Sequence, residues 1–372
     1  MAINGNKPKV AIVQDWLVSR GGAEQVLQCF HELYPEAPIY VLVHDEDKAP
    51  EWARGLDVRT SYIQRWPGGK DHYRLLLSFM PKAWEALDLT EYDLVLSSCS
   101  SCCKGVLTRP DAVHVCYCHS PIRYVWDLYY DYFEGSSAIK RAFMPHMIHK
   151  VRMWDFQAAQ RVDRFVANSD YVGKRIAKFY RRESTTIYPG IRIPERPVSE
   201  ERDDYYFALS RFVGYKRIDL AIEACNKLGR KLIVAGSGGE EEEKLRAMAG
   251  PTVEFVGRVS DERLQDYYSH AKAFLFPGIE DFGLTPLEAM AGGAPVLAYG
   301  EGGALETVVD GETGMFFHEQ SAEALASCIE EFERCGFSAA ACRARAEQFS
   351  REKFKREIAA FCDAALAETG GE

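Results

Sequence analysis

No window of the chain approaches the eighteen or so uninterrupted apolar residues of a membrane span, and Met1 to Lys9 lacks the apolar core of a signal peptide. A cytoplasmic protein is the expectation. Internal repeats and low-complexity tracts are missing. Only the acidic run Glu240 to Glu243 is biased, and acids there suit the start of a solvated helix. Both candidate glycine turns, Gly21-Gly22 and Gly236-Ser237-Gly238-Gly239, lack the Gly-x-Gly-x-x-Gly pattern, which disfavours a nicotinamide enzyme. Positive charge is short overall. A net charge of −10 argues against general nucleic-acid binding while leaving room for a local basic surface. Cys99-Ser100-Ser101-Cys102-Cys103 has Cys-x-x-Cys spacing but no second pair and no nearby His, so it falls short of the ligand count of a zinc site. The eleven Cys are an odd number, and Cys116, Cys118 and Cys225 lie in apolar runs where a reduced Cys packs as a small hydrophobe. Asp45-Glu46-Asp47 has the form of a metal-binding Asp-x-Asp without a second ligand cluster, and reads as a surface turn.

What is present is a chain of 372 residues, longer than one core usually grows, with an apolar share of 47% that is ample for two cores. Lys9 to Val13 reads as a strand, Gly21-Gly22-Ala23-Glu24 opens a helix with Val26, Leu27, Phe30 and Leu33 on its apolar face, and Pro38 to Val43 is a second strand. This βαβ beginning predicts a parallel sheet. Further strands are expected at Leu94 to Ser97, Val113 to Cys118, Arg164 to Ala167 and Thr185 to Tyr188. Pro and charge then replace periodicity from Tyr188 to Asp204, as in a linker. A second α/β series follows, with strands at Tyr205 to Leu209, Lys231 to Ala235, Thr252 to Val256, Ala273 to Phe276 and Ala294 to Ala298. Helices are expected at Ile218 to Leu228, Asp261 to His270 and beyond Ser321. Two doubly wound domains follow, taken as 1–188, 189–350 and a C-terminal helix 351–372 packing back on the first domain.

The stretch Gly278 to Glu288 places two carboxylates around a glycine turn between a buried strand and a helix. Thr285 is suited to the N-cap, Pro286 to the first helical position, and Glu288 completes a capping box. Free amides there favour an anion, with Gly283 letting it approach. Glu280 instead suits hydrogen bonds from a polyhydroxy ligand. The plainer alternative makes Glu288 a cap and Glu280 a solvated acid. Arg211 ends a strand and Lys216-Arg217 opens a helix, where cations oppose the macrodipole. A diphosphate would use an Arg fork and a Lys point charge at that place; an ordinary basic loop is the alternative. His119 stands at a strand's carboxyl end, as a general acid or base, a hydroxyl-orienting group, or a structural imidazole. Lys140-Arg141, His146, His149-Lys150, Arg152, Lys174-Arg175, Lys178 and Arg181-Arg182, interleaved with apolar residues, have the composition of a surface that lies on anionic membranes, or of a solvated helix face. No nucleic-acid-binding motif accompanies these charges.

Together these motifs resemble the family-4 retaining glycosyltransferases of the GT-B fold, over nearly the whole chain. Glu280 to Glu288 is similar to that family's Glu-x7-Glu signature, Ser210-Arg211 and Lys216-Arg217 to its basic pair, and Gly21-Gly22-Ala23-Glu24 to its N-terminal glycine loop. His119 to Asp127 resembles the His-Ser-Pro-x-Arg-Tyr-x-Trp-Asp segment of bacterial surface-polysaccharide mannosyltransferases. The resemblance implies an α/β fold of two Rossmann-like domains facing across a deep crevice, and a nucleotide-sugar donor with GDP-mannose first and a UDP-hexose second. The acceptor it implies is lipid-linked or a polysaccharide, at the inner face of the cell membrane, with no cofactor and no metal. It also implies that Arg211 and Lys216 hold the diphosphate, that Glu280 and the amides of Phe282, Gly283 and Leu284 contact the sugar, and that Glu288 binds the ribose. Arg258-Val259 would lie near the base, Gly21-Gly22 beside the ligand, and His119 near the transferred sugar. A sugar-nucleotide epimerase of the same fold, and a catalytically silent sugar-binding protein, remain alternatives.

Overall fold

Residues 7–130 and 138–369 are described by the computed structural model, with side chains for 7–130 and 144–368. The chain divides into two units, Met1–Tyr188 with Phe354–Glu372, and Pro189–Lys353.

In the first unit seven strands run parallel: β1 (Val10–Gln14), β2 (Ile39–Val41), β3 (Val58–Thr60), β4 (Leu94–Cys99), β5 (Val113–Cys118), β6 (Arg164–Ala167) and β7 (Thr185–Thr186), in the order β3-β2-β1-β4-β5-β6-β7. Helices α1 (Gly22–Leu33), α2 (Met80–Glu85), α3 (Ala138–Gln160) and α4 (Asp170–Tyr180) cover it. A parallel sheet covered on both faces needs strands without a polar side, and β1, β4 and β5 are buried at every position. Successive residues of β1 feed different cores, Ala11 and Val13 one, Val10 and Ile12 the other. β3 escapes the sequence pattern because it is three residues long with Arg59 at its centre.

The second unit has six parallel strands, β8 (Tyr206–Leu209), β9 (Leu232–Ala235), β10 (Val253–Gly257), β11 (Ala273–Phe276), β12 (Val296–Tyr299) and β13 (Gly314–Phe317), ordered β10-β9-β8-β11-β12-β13. Its helices are α5 (Ile218–Leu228), α6 (Glu242–Met248), α7 (Asp261–His270), α8 (Leu284–Ala291), α9 (Ala304–Thr307), α10 (Ala322–Phe332) and α11 (Ala339–Glu347). β13 was not expected either. Its first residue must be Gly314, since a Cβ there would stand 1.9 Å from the Val296 carbonyl oxygen. The last helix, α12 (Arg351–Thr369), sends Phe354, Ile358, Cys362, Ala365 and Leu366 into the first unit's core at helical spacing. Among the described residues no helix is long and apolar enough to cross a membrane.

Candidate active site

The second sheet reverses its strand order between β8 and β11, and ligands of doubly wound sheets bind at such a point, at the strands' carboxyl ends. Ser210 and Arg211 leave β8 there, and Gly278 to Glu280 leave β11. The turn Gly214–Lys216 lies against the second loop so closely that a Cβ on Gly278 would meet the Lys216 Cα at 2.8 Å. This approach brings the Lys216 ammonium onto the Glu280 carboxylate as an ion pair whose side chains stay 16% and 23% exposed. Ser210, Gly278 and Ile218 help line the small hollow beside it. Arg211 is exposed, its guanidinium 3.5 Å from the Tyr215 hydroxyl. Arg217 is no part of this group. It adopts a left-handed conformation (φ 51) before α5 and forks onto Asp219 at 3.1 Å, which neutralises a cation that would otherwise oppose the helix dipole.

The loop from Glu280 to Gly283 is pinned from its other side. The Gly303 N–H donates to the Glu280 carbonyl at 2.9 Å, and Gly302 and Gly303 leave no room for a Cβ against Glu280 and Phe282. The capping box expected here does not form. α8 starts at Leu284 with Gly283 (φ 85) as its N-cap and no side-chain cap, so Thr285 and Pro286 lie inside the first turn. Only glycine adopts that backbone freely. Glu288 therefore sits one turn further along, where its carboxylate accepts from the buried Tyr268 hydroxyl at 3.3 Å. Phe282 is buried, and Leu284 and Glu288 are half-buried. At the end of β10, Arg258 is exposed and its Nε donates to the Ser237 hydroxyl at 2.9 Å, with Val259 half-buried beside it. These two join the edges of the strand ends rather than the ion pair.

In the first unit Gly21 is the extended N-cap of α1, and Gly21 and Gly22 are both exposed. His119 leaves β5 and is held twice by β4: its N–H donates to the Cys99 carbonyl at 2.8 Å, and its Nε2 lies 2.8 Å from the Ser98 hydroxyl. Burial pushes its pKa down to about 4, so the ring is neutral at pH 7 and Nδ1 offers one acceptor or one donor. Ser98 thereby occupies Nε2 and leaves Nδ1 as the ring's other polar atom, a role missed in sequence because β4 was expected to end at Ser97, two residues before it does.

The first sheet also reverses, between β1 and β4, and Asp15 fills that point. Its carboxylate accepts the backbone N–H groups of Ser100, Ser101, Cys102 and Cys103 at 2.6 to 2.8 Å. Burial raises its pKa to about 6 against the pull of those amides. Asp15, Cys99 and Cys103 form a close group of metal-ligand types, but the four amides already take up the carboxylate's lone pairs. Next in the chain, Lys104 is buried and ion-paired with Asp155, which also accepts from the Trp126 indole at 2.8 Å. Asp45 is buried rather than at the surface, paired with Lys48 at 2.9 Å and Lys70 at 3.4 Å.

The basic stretch is less exposed than its composition suggests. Arg175 is buried, donating to the Ser120 hydroxyl at 2.7 Å and to Asp127 at 2.8 Å, so it clamps the His119 to Asp127 segment. Arg152 bonds the Val125 carbonyl, and Arg182 the carbonyls of Ala159 and Gln160 at the end of α3. His146, His149, Lys150, Lys174, Lys178 and Arg181 remain outside, and Lys140, Arg141 and Phe143 lie outside the described side chains.

Against known families, residues 20–193 match the profile of Glycosyltransferase Family 4 and residues 191–349 that of Glycosyl transferases group 1. The chain belongs to the family-4 glycosyltransferases. The Alpha-1,3/1,6-mannosyltransferase ALG2 of Dictyostelium discoideum is 23% identical over 239 residues, covering 50% of this chain and 57% of that one. A GDP-mannose-dependent alpha-(1-6)-phosphatidylinositol monomannoside mannosyltransferase of Mycobacterium tuberculosis is 31% identical over 158 residues, 38% of this chain and 39% of its own. The chain thus spans well under two thirds of these relatives. In fold it is similar to Anabaena Alr3699/HepE in complex with UDP-glucose, with a TM-score of 0.71 and 19% identity over 96% of this chain and 100% of that one. The family-4 fold is GT-B, two Rossmann-like parallel-sheet units in one chain, which is the architecture described above.

Proposed function

We propose that this chain is a retaining hexosyltransferase that takes a nucleoside diphosphate hexose, GDP-mannose first and a UDP-hexose second, and acts on a lipid-linked or polysaccharide acceptor in cell-envelope glycan synthesis. The Lys216–Glu280 pair at the β8/β11 switch point carries this reading. A diphosphate entering there takes over the Lys216 ammonium, with Arg211 adding a fork, and frees Glu280 to accept hydrogen bonds from sugar hydroxyls. Phe282, Gly283 and Leu284 present their amides to the same sugar at the start of α8, and Glu288 bonds the ribose. Arg258 and Val259 lie nearest the base. The two cations stabilise charge developing on the leaving diphosphate, which is preorganised electrostatic catalysis at the group that becomes an anion. Relatives named for GDP-mannose and mannosyl transfer favour mannose; the neighbour holding UDP-glucose supports a UDP-hexose as second choice.

The first unit is the acceptor side in this reading, with exposed Gly21-Gly22 and the Nδ1 face of neutral His119 as its groups. Lipid-linked acceptors place the enzyme peripherally at the inner face of the cell membrane. A glycosidase is disfavoured because Glu280 and Glu288, assigned to sugar and ribose, would not flank one bond. The chain is incubated with a panel of nucleotide sugars after chelation, and released nucleoside diphosphate is measured. Hydrolysis or transfer of a GDP- or UDP-hexose supports the reading; an isomerised donor favours the epimerase, and silence across the panel a binding protein.

A further inference from the structure

Phe207 on β8 and Phe274 on β11 are paired in register on the two strands that flank the second sheet's switch point. The ring of Tyr268, from α7, stands edge-on to both, with centroids 5.4 Å and 5.7 Å away. Tyr268 is fully buried. The root of its side chain lies against the end of α8, where a Cβ on Gly292 would stand 2.8 Å from the Tyr268 Cβ, so a larger residue would push the two helices apart. One turn back along α8 is Glu288, whose carbonyl accepts from the Gly292 N–H at 3.1 Å. A single turn of α8 thus meets Tyr268 twice, at its root through Gly292 and at its tip, where the hydroxyl donates to the Glu288 Oε2 at 3.3 Å.

Packing alone would be served by phenylalanine. The ring lies between two Phe rings, and a buried hydroxyl is costly unless it is hydrogen-bonded. Its contact with Glu288 offsets that cost. Burial, with the Glu288 charge beside it, raises the phenol's pKa well above the usual value, so the group remains an O–H donor at neutral pH. Donation to an ionised carboxylate is charge-assisted, the kind of hydrogen bond that fixes a side chain's direction most firmly. A carboxylate has about four acceptor directions, so a phenol on Oε2 and the two hydroxyls of a ribose can share it.

We infer that Tyr268 is a positioning residue of the nucleoside site, holding the Glu288 carboxylate in the orientation that accepts the ribose hydroxyls of the donor nucleotide. The inference rests on the reading that Glu288 bonds the ribose, and adds the group that makes that carboxylate selective for ribose over deoxyribose. Because the ring is wedged on β8 and β11, the carboxylate it holds is set relative to the strand ends that carry Arg211 and Glu280. Shut away from solvent, Tyr268 meets no ligand itself. It acts on nucleotide affinity and on the choice of sugar ring, not on charge developing at the diphosphate.

The test is calorimetric titration of GDP and UDP, each beside its 2′,3′-dideoxy form, into the parent, Tyr268→Phe, Glu288→Gln and the double variant. The parent should prefer the ribonucleotide by about tenfold or more. Tyr268→Phe should keep its affinity for the dideoxy form, which also shows that it is folded, and should bind the ribonucleotide about tenfold more weakly, the scale of one hydrogen bond to a charged group. In the double variant the ribonucleotide should bind as in Glu288→Gln alone, since a residue acting only through Glu288 adds nothing once that carboxylate is gone. Tyr205→Phe removes a hydroxyl that donates to the Tyr267 carbonyl at 3.0 Å, and should bind as the parent does, which controls for a general loosening of α7. In turnover of the nucleotide sugar, Tyr268→Phe should raise KM with kcat near the parent's. An undiminished ribose preference in Tyr268→Phe, or losses that add in full to those of Glu288→Gln, overturns the positioning role while leaving the ribose assignment in place. Equal binding of both forms by the parent, or binding of neither nucleotide, removes the ribose assignment itself, and the inference falls with it.

Discussion

Between β1 and β4 the first sheet reverses around Asp15, which is 3% exposed and holds four backbone amides; between β8 and β11 the second reverses around Lys216 and Glu280, which are 16% and 23% exposed and hold each other. Both places have the topology of a ligand crevice. At the first, the chain's own carboxylate takes the amides an outside anion would need, and the loop it fixes carries on from Ser98, the partner of His119. At the second, the partners are side-chain ends beside a small hollow, and glycine at 278, 302 and 303 lets the neighbouring backbone close on the loop that carries Glu280. One acid is structural because its partners are backbone; in the proposed reading the other is exchangeable, because a diphosphate would take over its partner Lys216.

The comparison breaks if Asp15 proves dispensable. Asp15→Ala leaves four buried amides unpaired, each costing about 1–3 kcal/mol, so urea denaturation should show a loss of about 4 kcal/mol or more; a loss under about 1 kcal/mol would mean another group or water takes its place. Lys216→Ala and Arg211→Ala should each lower turnover about 100-fold or more, near 3 kcal/mol of transition-state stabilisation, with unfolding midpoints almost unchanged. Unaltered kinetics in both would remove the diphosphate from this site.

A smaller effect sharpens the contrast through pH. Buried His114, its Nε2 2.8 Å from the Ser97 hydroxyl, has its pKa pushed down to about 4 by burial. The unfolded chain then binds the proton that the folded chain refuses, so stability falls as pH drops from about 6.5 toward 4. Measured against His114→Gln, the parent should lose up to about 3 kcal/mol across that window; parallel curves would place a charged or exposed imidazole there. Asp15 works in the opposite sense, since its raised pKa makes the folded state bind the proton first between about pH 6 and 4. His119, neutral above about pH 5, should put no acid limb near 6.5 in the kcat/KM profile.

Much of this was legible where hydrophobic runs are long. β5, β6, β11, α5 and α7 fall at the residues their patterns predict, because a buried parallel strand or an amphipathic helix is written in side chains alone. β3 and β13 were not, being short and interrupted by Arg59 or begun by Gly314. The start of α8 moved because Gly283 reaches a backbone region closed to Thr285, so conformation outweighed capping chemistry. The motif supplied Glu280, Lys216 and Arg211, but pattern cannot say which cation is spent at home. Arg217 is tied to Asp219 two residues on, whereas Arg175, Arg152 and Arg182 are tied to Asp127 and to backbone carbonyls between 22 and 48 residues away, contacts invisible along the chain. Asp15 left one trace, an acid ending a strand of buried residues, as did Lys104 among buried Cys.

The account turns on whether the Lys216–Glu280 pair is exchanged for a diphosphate. GDP titrated calorimetrically into the parent and into Lys216→Ala, both after chelation and with matched melting curves, measures this directly. The account predicts saturable binding to the parent and an affinity at least about tenfold weaker, ~1.4 kcal/mol, in the variant; equal affinities would contradict it.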